Sequence, residues 1–390
     1  RSIAVHSQRD AETYPVFRRV LFELARAMRP LWWQNGSRGA LKLSHTHKVL
    51  LKTLERTSAA AWLESRFESD ALKATLAYDA TDGGIPILDA GSALMFVWRA
   101  AQEMCGLQGS SAVPVNGRQT YADALAKAAT ASGVDLRTTA RVHRLLLEGG
   151  AAAGVELENG DRIAAPLVLS GATRFETICS LVPEAAAGLG ETARQARSEA
   201  SVGTAQILFT LHHLPAFGDM HAPHGARYII GEHLETYVSA HASARSGALP
   251  AEFAMELVFP PVQKMEDTIS EQPVAAVQIR PFPFGHDTGR HARQMLSERI
   301  ASSIDCVIPG FVQQVIHAAV TLPDDVTHIE GSGAPAHGTR MLAAWDARIQ
   351  TPIRGLMICG NDAEPVGAMS GRAGRIAAQM ALRKDNGILP

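Results

Sequence analysis

The densest grouping of residues able to hold a ligand lies near the end of the sequence. From Gly355 to Ala378 the chain reads as an apolar strand, a glycine-rich loop and a helix that opens on small residues. A helix start carries backbone N–H groups without partners inside the helix, and they point at whatever sits before it. Gly367, Ala368, Ser370, Gly371 and Ala373 leave room for a flat ring to approach the backbone. The pattern suits an anionic or dipolar ligand. It suits equally a tightly packed strand-to-helix connection that holds none.

Other groupings carry less. His212, His213, His221 and His224, with Asp219, fall close together. Their spacing matches no common zinc pattern, and Pro215 and Pro223 make the segment a loop, so no metal site is expected. Gly331, Gly333 and Ala336 fit a loose GxGxxA pattern, but no apolar strand leads into it and Pro335 sits inside it. Trp32, Trp33 and Trp98 read as buried core. Trp345, shortly before the glycine loop, is a candidate for the wall of an apolar substrate tunnel.

Composition bounds the class. Of 390 residues, 46% are hydrophobic and 19% charged, and the formal charge is -2. This is the balance of a globular enzyme and lacks the basic excess of a nucleic-acid binder. Cys105, Cys179, Cys306 and Cys359 are far apart in apolar surroundings, as for buried free thiols in a reducing cytoplasm. No apolar run is long enough to span a bilayer.

The elements that must position the loop follow from periodicity. Tyr14, Phe17, Val20, Leu21, Leu24 and Met28 fall on one helix face over residues 10–28, with Pro15 in the first turn. Residues 92–104 form a second, buried helix after an Asp-, Gly- and Pro-rich loop at 79–86. Ala124, Leu125, Ala128 and Ala129 mark a helix face ending near Gly133. Strands are expected at 136–147, 153–157 and 163–169, the last two joined by a hairpin at Asn159-Gly160. Residues 200–340 alternate strands and loops, with one helix near 292–307. The chain closes on a strand at 356–359 and a helix at 371–382.

Taken in order, these segments resemble the phytoene-dehydrogenase-like FAD-dependent oxidoreductases. The loop from Cys359 and Gly360 through Glu364, Pro365 and Gly367 to Ser370, Gly371 and Gly374 is similar to that family's C-terminal FAD-contacting motif. Agreement extends to the stretches at 121–125, 133–137, 141–142, 154–155, 159–160 and 168–173, and to those at 214–217, 256–261 and 350–356. The family has a His where this chain has Glu364, and glycines where it has Asp362 and Val366, so the loop here is bulkier and more acidic. The resemblance implies FAD as cofactor. Its adenine end would meet Arg141 and Val142, its middle Gly171, Gly360, Asn361 and Asp362, and its ring Gly367, Ala368, Met369, Ser370 and Gly371. There the helix N–H groups would stabilise charge on the reduced ring. Trp345 and Glu364 are the substrate-side candidates, and no residue stands out as a catalytic base.

The expected fold is α/β: the C-terminal part of a Rossmann-like FAD-binding domain, with a substrate domain of mixed β-sheet and helices. Residues 1–114 form a helical substrate-side region, 115–175 an FAD-domain segment with a hairpin, 176–344 the substrate domain, and 345–390 the closing FAD-domain segment. The strand and GxGxxG that open such domains, and the acidic ribose ligand after them, do not occur in the sequence. A companion chain or a removed N-terminal segment is therefore expected to supply the first βαβ unit. The implied activity is hydride removal from an apolar or amine-bearing small molecule, in the cytoplasm. A redox-neutral flavin-dependent isomerase and a non-catalytic scaffold subunit are the rivals.

Overall fold

A computed structural model describes residues 2–33, 38–104, 106–110, 118–183, 202–217, 220–221, 225–260, 272–326, 341–342, 345–364 and 370–383. The first helix, α1 (Gln8–Trp33), buries Phe17, Leu21, Leu24 and Met28 of the predicted stripe and also Leu31, while Tyr14 and Val20 are half-buried. It begins earlier than expected, so Pro15 lies inside it, as does Pro30. Serine hydroxyls cap the next three helices: Ser44 for α2 (His45–Arg56), Ser58 for α3 (Ala59–Glu64) and Ser69 for α4 (Asp70–Ala80). The apolar α5 (Leu94–Ala101) is buried between them. Rings knit the bundle, with Phe17 5.0 Å from both Trp62 and Phe67 and Trp32 edge-on to Trp98 at 5.3 Å.

Asp10, fully buried at the start of α1, ties this bundle together. Its carboxylate accepts Glu68 N at 3.0 Å and Ser69 N at 2.7 Å, fixing the turn that launches α4. Asp10→Ala strands two part-buried donors and is expected to cost about 2 kcal/mol, against about 1 for Asp10→Asn, which keeps an acceptor. Thermal unfolding followed by circular dichroism measures both; equal loss in the two variants would refute the hydrogen-bonding account.

A two-residue ribbon, β1 (Glu103–Met104) with β2 (Leu107–Gln108), leads to α6 (Arg118–Ala131). The apolar face read from the sequence of α6 is not buried: Tyr121 and Leu125 are exposed, as are Val134 and Leu136 beyond it. An antiparallel sheet follows, of β3 (Val142–Glu148), β4 (Ala151–Leu157) and β5 (Arg162–Ala164), turning at Asn159-Gly160 as expected. The single strand expected at 163–169 is two. Pro166 has no N–H to give, and after it the chain leaves the hairpin as β6 (Val168–Ser170) for another sheet.

The larger sheet joins β7 (Val202–Leu211), β10 (Arg227–Ile230), β11 (Met255–Val258), β12 (Val274–Pro283) and β13 (Val315–Thr321) in the order β10-β11-β12-β7-β13, each pair antiparallel. The strands β8 (Ala216–Phe217) and β9 (Met220–His221) form a ribbon beside it. One face of the sheet, through Ile207, Phe209, Leu257 and Val277, is sealed by the helix α8 (Arg290–Val307) with Leu296, Ile300 and Ile304. Sequence periodicity missed the helix α7 (Leu234–Arg245), whose alanines, serines and histidine blur its stripe; it joins the helical core through Leu234 and Tyr237.

The chain ends with the short helix α9 (Trp345–Ile349), the strand β14 (Leu356–Ile358) and the helix α10 (Arg372–Ala381). The β14 strand runs parallel to β6, with Leu356, Met357 and Ile358 opposite Val168, Leu169 and Ser170. The result is a Rossmann-like α/β part built on β6, β14 and α10, beside a substrate-side region of sheet and helices. No described helix is long and apolar enough to cross a membrane. Cys306 is exposed on α8, against the expectation of buried thiols.

Candidate functional site

Parallel strands send their carboxyl ends, and the loops that follow, to the same side of a sheet, and ligands of open α/β sheets bind there. Here β6 opens into Gly171 and β14 into Gly360. Cys359 N donates to Ser170 O at 2.8 Å, which brings the two loops into register. They touch at the glycines: a Cβ on Gly360 would stand 2.1 Å from Gly171 O, whereas a Cβ on Gly171 would meet nothing within 4 Å. Gly360 is thus required by backbone contact, and Gly171 borders open space.

Both loops are anchored. Arg174 donates to the carbonyls of Gln350 at 3.2 Å and Arg348 at 2.5 Å, and Ser170 and Thr177 share a 2.7 Å hydroxyl contact. Asn361 and Asp362 follow Gly360 in a 3-10 turn that closes on Glu364, and α9, which carries the Trp345 backbone, packs beside that turn. The Trp345 and Asp362 side chains, and residues Gly367, Ala368 and Met369, lie outside the described residues.

The start of α10 is built differently from the open helix end read in the sequence. Gly371 takes the left-handed conformation, φ 66°, and the Tyr121 hydroxyl of α6 lies over it. Arg372 N donates to Ser370 Oγ at 3.1 Å and Ala373 N to Glu364 Oε1 at 3.0 Å. Two of the N–H groups expected to be free are therefore held by the chain itself.

Glu364 and Arg372 are both buried, with side chains 2% and 8% exposed, and Arg372 Nε lies 3.4 Å from Glu364 Oε2. Glu364 Oε1 also takes the Ser370 hydroxyl at 2.6 Å. Yet Oε2 makes no hydrogen bond, nor does Arg372 Nη2. The guanidinium stands 4.2 Å from the Trp33 ring centre and 5.1 Å from that of Trp98, so the helical bundle grips the first residue of α10. Burial lowers the Arg372 pKa from its usual value, with Glu364 acting in the opposite sense. Burial likewise raises that of the Cys359 thiol. No sequence signal pointed to Arg372, Trp33 or Trp98 here, because their meeting joins the two ends of the chain.

The structure thus brings Gly171, Gly360, Asn361, Glu364, Ser370 and Gly371 into one neighbourhood. Val142 pairs with Leu157 at one end of the hairpin, whose other end meets Arg354 through Ala152 N at 2.8 Å. Arg141 is exposed, 3.5 Å from Glu158. His212 and His213 are exposed after β7, while Asp219, His224 and the stretch 331–336 lie outside the described residues. Among the described residues no group of three or more His, Cys, Asp or Glu is arranged for a metal ion.

Residues 19–175 match the family described as flavin containing amine oxidoreductase. That match spans less than half of the chain. It is 26% identical over 439 residues to the rat (Rattus norvegicus) pyridine nucleotide-disulfide oxidoreductase domain-containing protein 2, covering 98% of this chain and 74% of that one. Over 71 residues, 18% of this chain and 12% of the other, it is 37% identical to the chloroplastic prolycopene isomerase of carrot (Daucus carota). Its fold matches that of a redesigned putrescine oxidase with a TM-score of 0.57 at 14% identity, over 96% of this chain and 76% of that one.

Proposed function

We propose that the chain is an FAD-dependent oxidoreductase, a dehydrogenase, desaturase or oxidase, that removes hydride from an apolar or amine-bearing small molecule. The observation that carries this reading is the Gly171–Gly360 contact at the carboxyl ends of β6 and β14, with open space over Gly171. A backbone stripped of side chains at a strand-end crevice fits a flat or extended ligand approaching closely. Arg372 Nη2, buried with no hydrogen-bond partner among the described residues, fits a polar group or water at the start of α10.

In this reading Gly171, Gly360, Asn361 and Asp362 hold the middle of FAD, and Gly367, Ala368, Met369, Ser370 and Gly371 lie along its ring. Arg141 and Val142, at the far end of the hairpin, take the adenine end. When bound, the flavin supplies a two-electron acceptor for hydride from carbon. The chain supplies placement: the anchored loops hold the ring edge, and a substrate lying over it is oriented by the substrate-side region. Trp345 is the candidate for its wall. Reaction by positioning needs no side-chain base, and none is assigned.

The sequence has no GxGxxG on a strand, so the reading includes a βαβ unit from a further segment or a companion chain. The exposed Tyr121, Leu125, Val134 and Leu136 support an apolar partner over α6. So does β14, buried along its length and met on its second side, among the described residues, by the isolated bridge from Gln350 to Met357. Free thiols at Cys306 and Cys359 support a reducing compartment.

Purified protein is expected to absorb near ~370 and ~450 nm and to release about one FAD per chain on denaturation. A GxGxxG-bearing polypeptide should accompany it if the unit is separate. Protein that stays colourless with FAD and that polypeptide added is not a flavoenzyme. The likeness to prolycopene isomerase favours one second reading, a redox-neutral isomerase. Substrate turned over without net reduction of any acceptor, under anaerobic conditions, would select it.

A further inference from the structure

Glu364 is buried at the start of α10 beside Arg372. Its carboxylate occupies the start of α10, taking the N–H of Ala373 and the hydroxyl of Ser370. A helix start is a centre of partial positive charge, and an anion held there cancels part of it. Arg372 restores a positive charge beside the same oxygens, and Trp33 and Trp98 fix its guanidinium so that it cannot turn away to solvent. Glu364 Oε2 faces Arg372 Nε, and Arg372 Nη2 is buried with no hydrogen-bond partner among the described residues. A group beyond Nη2 feels both charges little screened by water.

We infer that Glu364 and Arg372 are an opposed pair of positioning residues that set the charge met by the flavin ring at the start of α10, Glu364 disfavouring and Arg372 favouring its reduced form. The inference rests on the flavin reading above. Two-electron reduction leaves negative charge on the ring, so each member of the pair acts on the reduction equilibrium with its own sign.

The test is the midpoint potential of FAD in the full-length protein, measured by dye equilibration, for Glu364→Gln, Arg372→Gln and the double variant. Glu364→Gln keeps an oxygen for Ala373 N and removes the negative charge. Its reduction equilibrium is expected to rise about tenfold, ~30 mV for a two-electron couple, the scale of one unit charge acting over ~10 Å at an effective dielectric of ~20. Arg372→Gln should fall by a similar factor, and the double variant should return near the parent value. A merely structural role would move both single variants in the same direction, and that result, or unchanged potentials, overturns the inference.

If neither single variant retains FAD, the charge-balanced double variant decides. FAD retained at the parent potential upholds the pairing, and loss there too reduces the cluster to packing and overturns it. A parent protein that takes up no FAD overturns the flavin reading and the inference with it. That outcome is distinct from a parent that binds FAD and variants that do not shift.

Discussion

Gly360→Ala is expected to cost about 3 kcal/mol of stability and to reduce FAD retention about a hundredfold, while Gly171→Ala, one loop away, leaves stability within about 0.5 kcal/mol. The backbone at Gly360 has φ -83° and ψ -171°, a conformation open to any residue, so strain is not the reason for glycine there. The reason is contact: the added Cβ would lie 2.1 Å from Gly171 O and 2.8 Å from its carbonyl carbon. Neither atom belongs to a side chain that could rotate away. The two loops must separate, and the hydrogen bond from Cys359 N to Ser170 O, one residue back in each loop, is the first to lengthen. At Gly171 the added methyl meets open space, so the fold tolerates it. FAD affinity in Gly171→Ala, measured by titration of the apoprotein, then isolates the ligand. A fall of tenfold or more places cofactor over Gly171, and unchanged affinity removes that residue from the proposed site. Chemical denaturation of the two variants reads the stability difference, and equal losses would contradict the geometry.

That contrast shows what the sequence could convey. Glycines at 171 and 360 stand out in a linear reading because each ends an apolar strand, and the resemblance gives both to one cofactor. Their difference in kind is invisible there, since it depends on the parallel pairing of β6 with β14 across almost two hundred residues of chain. Local signals read well. The stripe of α1, the Asn159-Gly160 turn and α8 all depend on near neighbours, and the structure places them within a few residues of expectation. Where two elements compete within one apolar run, periodicity failed, as at Pro166, where a hairpin strand and a parallel strand share residues 163–169. The α6 face was legible as apolar, but whether it is covered is a property of what packs on it. Nothing in the linear sequence singles out Arg372. It is buried because Trp33 and Trp98, contributed by the opposite end of the chain, close over it.

Arg280→Ala is expected to be the most damaging single change outside the glycine loops, costing about 3–5 kcal/mol. Arg280 lies on β12 with its side chain 8% exposed, its guanidinium 4.2 Å over the Tyr78 ring and its Nη1 2.5 Å from Asp82. From Asp82 a line of alternating charge runs outward through Arg99 at 3.6 Å, Asp79 at 3.1 Å from Arg99, Arg227 at 2.8 Å from Asp79, and Glu256. Three arginines meet three carboxylates, so the line is neutral. It joins the end of α4 and α5 to β10, β11 and β12, fastening the helical bundle to the sheet. Burial drives the Arg280 pKa down, but Tyr78 and Asp82 drive it up further, and the net shift is upward, so the cation persists at all working pH. Burial also pushes the Tyr78 hydroxyl up to about 12, with Arg280 opposing the rise. Removing the guanidinium takes the closer of its two arginines from Asp82 and empties the space over Tyr78. Arg280→Met refills that space without the charge and should lose less, about 1–3 kcal/mol. Arg280→Met combined with Asp82→Asn should recover part of that loss, because the carboxylate is then no longer left without its closer partner. Urea denaturation of the three variants gives the order. If Arg280→Ala and Arg280→Met are equally destabilised and Asp82→Asn restores nothing, the ion pair is not what holds the bundle to the sheet, and packing over Tyr78 alone would have to.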